Sequence, residues 1–241
     1  MISETARFGV TGRAIENGIV ELGLWNPRDF ARDKRQTVDD RPYGGGPGMV
    51  MMYQPLHDAI QAAKSAAPEA VTVAYLSPQG RSLRQEDFVR FAARERILMI
   101  AGRYEGVDQR LLQQHVEEEW SLGDYVISGG ELAALVVIDG VSRLLPNVLG
   151  SEFSSQQDSF MHGLLDYPHY TRPDTVDGLV VPAVLQSGNH AAIERWRLKQ
   201  ALGRTWQLRP DLLNKLELSD LHNALLDEFI NENMNLKRNG Q

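Results

Sequence analysis

A chain of 241 residues, 42% hydrophobic and 24% charged, can bury one large core or a larger and a smaller one, and two unequal domains are expected. The absence of cysteine excludes disulfides, thiolate metal sites and a cysteine nucleophile, which leaves carboxylates, histidines and backbone groups to do any chemistry. A net charge of −7 weighs against a general affinity for nucleic acid, because phosphate binding depends on Lys and Arg displacing counterions.

No apolar run reaches the length of a membrane span, and no charged-then-apolar leader follows Met1, so no membrane association and a cytoplasmic location are expected. The first unusual segment is Gly44-Gly45-Gly46-Pro47-Gly48. It lacks the Gly-Lys-Ser/Thr ending of a phosphate loop and the spacing of a dinucleotide fingerprint, which disfavours a nucleotide triphosphatase. By itself it is a plain loop or a place where a ligand approaches bare backbone.

A helix is expected around Leu56, Ile60 and Ala63. Residues 71–76 and 97–101 are apolar runs of strand length, stopped by Ser77-Pro78-Gln79-Gly80 and Gly102-Arg103, and both are expected to be buried strands. Between them, Ser82 and Gln85 have capping-box spacing, with Leu83, Phe88, Val89 and Ala92 on one helical face. The run Glu117-Glu118-Glu119 reads as a solvated surface. A third strand is expected at 125–128, followed by a helix carrying Leu132, Leu135, Val136, Val141 and Leu144 and ending near Pro146. Alternating strands and helices imply an α/β fold with a parallel sheet. Ligands of such sheets gather at the carboxyl ends of the strands. The segments 75–81, 102–108 and 121–131 therefore either line one pocket or are three tight turns.

Polar composition at Ser151, Ser154, Ser155, Gln156 and Gln157 marks a linker. The expected organisation is a first domain over 1–148, a linker over 149–165 and a small helical domain over 166–241. The helices of that domain should carry Ile193 and Trp196, then Leu221, Leu225, Leu226, Phe229 and Ile230 behind Ser219. Between Asn189 and Lys215 lie Arg195, Arg197, Lys199, Arg204, Arg209 and Lys215 against only Glu194 and Asp211. That block is either a focused RNA-binding face or a solvated helix face. His115, His169 and His190 lack zinc-ligand spacing, and no resident metal is expected. Trp120, Trp196 and Trp206 are expected in the core or at a domain interface rather than as base-stacking platforms.

Several long motifs stand in order along the chain: 39–49 (DDRPYGGGPGM), 75–80 (YLSPQG), 102–106 (GRYEG), 123–131 (GDYVISGGE), 168–173 (PHYTRP), 187–190 (SGNH) and Trp196-Arg197. Together they resemble the bacterial tRNA (guanine-N1)-methyltransferase family, TrmD, over nearly the whole chain. The resemblance implies a SPOUT methyltransferase with a deep trefoil knot in the first domain, where periodicity alone would give an ordinary doubly wound sheet. It implies transfer of a methyl group from S-adenosylmethionine to N1 of the guanine 3′ of the anticodon in tRNA, by a homodimer whose active site lies at the subunit interface. By motif, Leu76, Ser77, Pro78, Gly102, Leu122, Gly123, Tyr125, Val126, Ile127 and Gly130 would contact the donor. Asp158 would be the general base, Arg143 the partner of the purine oxygen, and Glu105 the acid tied to a transient Mg2+. The resemblance further places Asp39, Gly44, Gly45, Asp166, Gly188, His190, Arg195 and Arg197 on the tRNA.

Family members begin with an apolar strand followed by Phe-Pro-Glu-Met, and the present sequence aligns from that methionine. The competing expectation is therefore a non-catalytic RNA-binding module of the same fold, inactive through N-terminal truncation.

Overall fold

The computed structural model describes residues 1–67, 69–150 and 158–239. The linker serines and glutamines at 151 and 154–157 fall outside the described residues. The chain divides into two compact units, Met1–Ser151 and Glu152–Gln241.

The first unit is built on a three-stranded parallel sheet. The long strand β3 (Thr72–Ser82) lies at its centre, between β4 (Ile97–Ala101) and β5 (Glu118–Ser121). Alternation along β3 sends Val73 and Tyr75 to one face and Ala74 and Leu76 to the other. On the first face they meet Leu56 and Ile60 of α3 (Tyr53–Ala66) and Leu111 of α5 (Gln109–His115). On the second they meet Phe91 of α4 (Gln85–Ala92) and Ala133, Ala134 and Val137 of α6 (Glu131–Ser142). Each fully buried branched side chain, such as Val73 or Leu111, contributes about 1.5–3 kcal/mol.

Local chemistry sets the ends of these elements. Helix α3 stops where Ala67 is extended, the backbone region that a residue preceding proline in sequence favours. At the start of α4 the Asp87 carboxylate accepts the Arg84 N–H (2.9 Å) and the Arg81 guanidinium (2.5 Å), and also pairs with Arg90. The cap is therefore Arg84 and Asp87 rather than the expected Ser82 and Gln85, because Ser82 is still paired with Ser121 in the sheet. Phe91 is buried and Val89 is exposed, so the buried face is rotated from the expected one.

The third strand also differs from expectation. It is β5, not 125–128, which forms a loop. Glu118 in β5 accepts a two-pronged bond from Arg94 (2.6 and 2.9 Å) and the Trp120 indole N–H (3.0 Å), and Arg94 holds its carboxyl below the usual range. An acidic strand survives because its charge has a partner. The bulk of Trp120 is buried on the Phe91 edge (5.2 Å between centroids).

A minimal hairpin, β1 (Asp39–Asp40) with β2 (Val50–Met51), closes the loop that carries the glycine run. Gly44, Gly45, Gly46 and Gly48 all have positive φ.

The second unit is mainly helical: α7 (Ala183–Gln186), α8 (His190–Leu208), α9 (Pro210–Leu213) and α10 (Asp220–Asn239). Leu202, Leu213 and Leu225 form its centre, joined by Leu164, Leu198 and Leu226. Leu221 and Trp206 are exposed, contrary to expectation; only some of the apolar positions of α8 and α10 face the small core. A hairpin of β6 (Thr175–Val176) and β7 (Leu179–Val180) interrupts the helical pattern. Its turn, Asp177-Gly178 with φ of 50° and 81°, is the Asp-Gly type that matches strand twist. Within 158–165, Phe160 N–H bonds Leu164 O (2.7 Å) and Leu165 N–H bonds the Thr205 hydroxyl (2.9 Å).

Candidate active site

Three loops leave the carboxyl ends of β3, β4 and β5. The first, residues 77–80, is an excursion inside β3: Leu76 and Arg81 both register with Trp120, and the Ser77 hydroxyl accepts the Gln79 N–H (3.1 Å). Leu76 is buried at the last parallel position.

The second loop, residues 102–108, turns on Tyr104 (φ 59°) and Gly106 (φ 125°). Backbone bonds from Glu105 N–H to Met49 O and from Met51 N–H to Gly106 O (2.9 Å each) zip it to the end of the glycine loop. The Glu105 side chain consequently lies against Gly48. Arg28 donates to Gln36 O (2.9 Å) and to the Tyr104 hydroxyl (3.3 Å).

The third loop, residues 122–130, opens with Ser121 and Gly123 exchanging hydrogen bonds (3.1 Å each). Leu122 reaches back to the core. Tyr125, Val126 and Ile127 are exposed, Val126 to 84%.

The second and third loops meet closely. Gly130 N–H donates to Gly102 O (2.7 Å), and a β-carbon on Gly130 would stand 2.8 Å from Ala101 Cα. A β-carbon on Gly102 would stand 2.9 Å from the hydroxyl of Tyr75. Burial pushes that phenol up, with Glu119 adding to the effect. The seam is backbone against backbone, with the exposed side chains of Tyr125, Val126 and Ile127 on the third loop. An adenosine and a short polar chain are suited to such a lining, so the residues fit a nucleoside-type donor. Among the described residues no three His, Asp or Glu side chains converge as a metal site. Glu105 alone does not make one, and the described residues do not fit a bound Mg2+.

The remaining candidate residues are distributed over both units. Asp39 pairs with Met51 in the small hairpin, beside Gly44 and Gly45. Arg143 caps the end of α6, its N–H on Asp139 O (3.0 Å). Asp158 belongs to the second unit, its carbonyl accepting from Met161 N–H (3.3 Å). In that unit Asp166 accepts from its neighbour Tyr167 N–H (2.7 Å) and contacts His169 Nε2 (2.8 Å). The Arg197 guanidinium covers the Tyr167 ring at 4.9 Å, which brings Arg197 and the Asp166 segment together. Gly188 (φ 70°) turns the chain into the start of α8, where the Asn189 side chain caps Ala192 N–H (3.1 Å) and His190 is the first helical residue.

Four of the six cations of the basic block, Arg195, Arg197, Lys199 and Arg209, are paired with carboxylates. Arg195 pairs with Glu228 (2.6 Å), Lys199 with Glu228 and Glu232 (2.8 Å each), Arg197 with Glu194 (2.6 Å) and Arg209 with Asp211 (2.8 Å). Arg195 and Lys199 hold the Glu228 carboxyl down at about 2. Glu228 and Glu232 lie about thirty residues beyond the cations they pair with, outside the charge window from which the block was read. Sequence reasoning also missed a contact between two imidazoles, His57 Nδ1 and His115 Nε2 (2.8 Å), on α3 and α5. Nothing in their spacing signals it.

No helix among the described residues is long and apolar enough to cross a membrane. The family model described as tRNA (Guanine-1)-methyltransferase TrmD matches residues 1–215. The tRNA (guanine-N(1)-)-methyltransferase of Aeromonas hydrophila is 59% identical over 232 residues, 96% of this chain and 93% of that protein. Those of Shewanella loihica (60% over 231 residues, 96% and 93%) and Tolumonas auensis (60% over 225, 93% and 90%) are equally similar. With matched motifs running through all three strand-end loops and into the second unit, the chain belongs to the tRNA (guanine-1)-methyltransferase TrmD family.

Proposed function

We propose that this chain transfers a methyl group from S-adenosylmethionine to N1 of the guanine 3′ of the anticodon in tRNA. The observation that carries the proposal is the glycine-lined seam at the strand ends, in a chain that belongs to this methyltransferase family. The donor supplies an electrophilic methyl group on a sulfonium. Backbone of Leu76, Ser77, Pro78, Gly102, Leu122, Gly123, Tyr125, Val126, Ile127 and Gly130 holds it, in a knotted SPOUT domain.

Guanine N1 carries a proton at neutral pH. Asp158 accepts that proton as the N1–C bond forms and the S–C bond breaks, and Arg143 stabilises the charge that develops on the purine oxygen. The remaining contribution is in-line positioning of nucleophile and methyl. Asp39, Gly44 and Gly45 flank the target base, with Glu105 against Gly48 at the end of the same loop. Asp166, Gly188, His190, Arg195 and Arg197 contact the tRNA, the two arginines after exchanging carboxylate partners for phosphate. The working unit is a cytoplasmic homodimer with each site completed by the partner subunit.

The test is methyl transfer from labelled S-adenosylmethionine to two unmodified tRNA transcripts, one with guanine and one with adenine 3′ of the anticodon, beside calorimetric donor binding. Transfer to the guanine transcript alone is expected. Absence of both transfer and donor binding would instead select the non-catalytic RNA-binding module, which no observation here favours.

A further inference from the structure

The two loops that meet at the seam are joined by side chains as well as by backbone. Arg103 and Gly129 form an antiparallel bridge, next to the bond from Gly130 N–H to Gly102 O. Over that bridge the Arg103 Nε donates to Glu131 Oε1 at 2.5 Å. Glu131 is the first residue of α6, where the unsatisfied N–H groups and the helix dipole favour a carboxylate. The pair closes directly over Gly129. A β-carbon there would collide with Glu131 Oε2 and stand 3.2 Å from Arg103 Cγ, so a side chain at 129 displaces the Glu131 carboxylate from its present position.

We infer that the Arg103–Glu131 pair, closed across the bare backbone of Gly129, is a clasp that fixes the width of the donor seam and so acts as a positioning pair for methyl transfer. The inference rests on the reading that these loops hold the donor. The two residues lie 28 apart in sequence and sit one position outside Gly102 and Gly130, the glycines at which the loops touch. A pair so placed does little for global stability, since Arg103 is about half exposed and solvent screens it. Its effect is local: with the clasp shut, less loop motion has to be frozen when donor binds, and the seam keeps one spacing.

The test uses the full-length protein, with calorimetric donor binding, steady-state transfer to the guanine transcript and thermal midpoints. Glu131→Gln should bind S-adenosylmethionine about three- to tenfold more weakly with a nearly native midpoint. Gly129→Ala should do the same with both charges intact, and kcat should fall with the donor affinity rather than with that for tRNA. Arg103→Glu alone should be weakest, and the exchanged pair Arg103→Glu/Glu131→Arg should recover most of that loss, short of native because the exchange places a cation at the amino end of α6, where the dipole disfavours it. Native donor affinity in both Glu131→Gln and Gly129→Ala, or an exchanged pair no tighter than Arg103→Glu, overturns the clasp while leaving the donor-loop reading intact. Absence of donor binding by the native protein removes both.

Discussion

The seam makes a quantitative demand at Gly102. A β-carbon there would stand 2.9 Å from Tyr75 Oη, 3.0 Å from Cε2 and 3.3 Å from Cζ, against a comfortable separation of about 3.5–4.0 Å. One partner must therefore move by about 0.5 Å or more. Tyr75 is only 7% exposed and packed among Val73, Ile100, Val107 and Leu111, so the ring cannot swing and the loop shifts. Overpacking of this kind costs about 1–3 kcal/mol. If most of it falls on the closed seam, donor affinity in Gly102→Ala drops by about five- to a hundredfold. The companion change Tyr75→Phe removes the nearest atom. Donor binding by calorimetry in the four members of the cycle should show the Gly102→Ala penalty reduced by about 0.5–1 kcal/mol when Tyr75→Phe is already present. Equal penalties with and without Tyr75→Phe, or native affinity in Gly102→Ala, would show that the ring is not the wall of this seam.

Three further expectations can be checked separately. Replacing Asp158 with Asn should abolish most methyl transfer while donor binding stays native; a fully active variant removes Asp158 from the role of base. Burial, with His57 adding to it, holds His115 below the ordinary imidazole value of 6.5. The folded state thus binds fewer protons, and this contribution to stability is full above about pH 6.5 and lost as pH falls below it; urea midpoints at pH 7.5 and 5.5 should differ by less in His115→Gln than in the native protein. Glu228→Gln should cost little, because Glu232 still holds the Lys199 ammonium (2.8 and 2.9 Å). Glu228→Gln/Glu232→Gln should cost about 3 kcal/mol by leaving a buried charge unpaired, visible as a loss well beyond additivity in thermal unfolding.

The parts of this fold that were legible in the sequence are those with local causes. The turn chemistry after Ala101 marks the end of β4, that after Leu76 marks a break in register inside β3 rather than the expected strand end, and the spacing of Leu56, Ile60 and Ala63 gives the buried face of α3. What could not be read depends on partners far along the chain. The strand Glu118–Ser121 looks like solvated acid until Arg94, 24 residues away, is placed beside Glu118. Arg195 and Lys199 look like bare cations until Glu228 and Glu232 arrive from α10. One miss was avoidable, since Asp177-Gly178 is a hairpin signal by itself. Periodicity placed the loop after β4, the strand that opens the third loop went unread, and the chemistry assigned to the loops came from motif resemblance; spacing alone leaves three turns.

The carboxylates that cover the cations of α8 have a consequence for life among polyanions. Ribosomes and messenger RNA present phosphate in vast excess over any one tRNA, and a bare cationic helix would be held on all of them alike. Here each arginine of the pairs must give up a carboxylate to reach a phosphate, so a loose encounter with RNA gains little. Only a partner whose shape engages several such sites at once recovers the loss. On the proposed contacts of Arg195 and Arg197 with tRNA, masked charge would act as a filter on residence time, letting an overall negative protein sample many wrong RNAs briefly before it meets the right one.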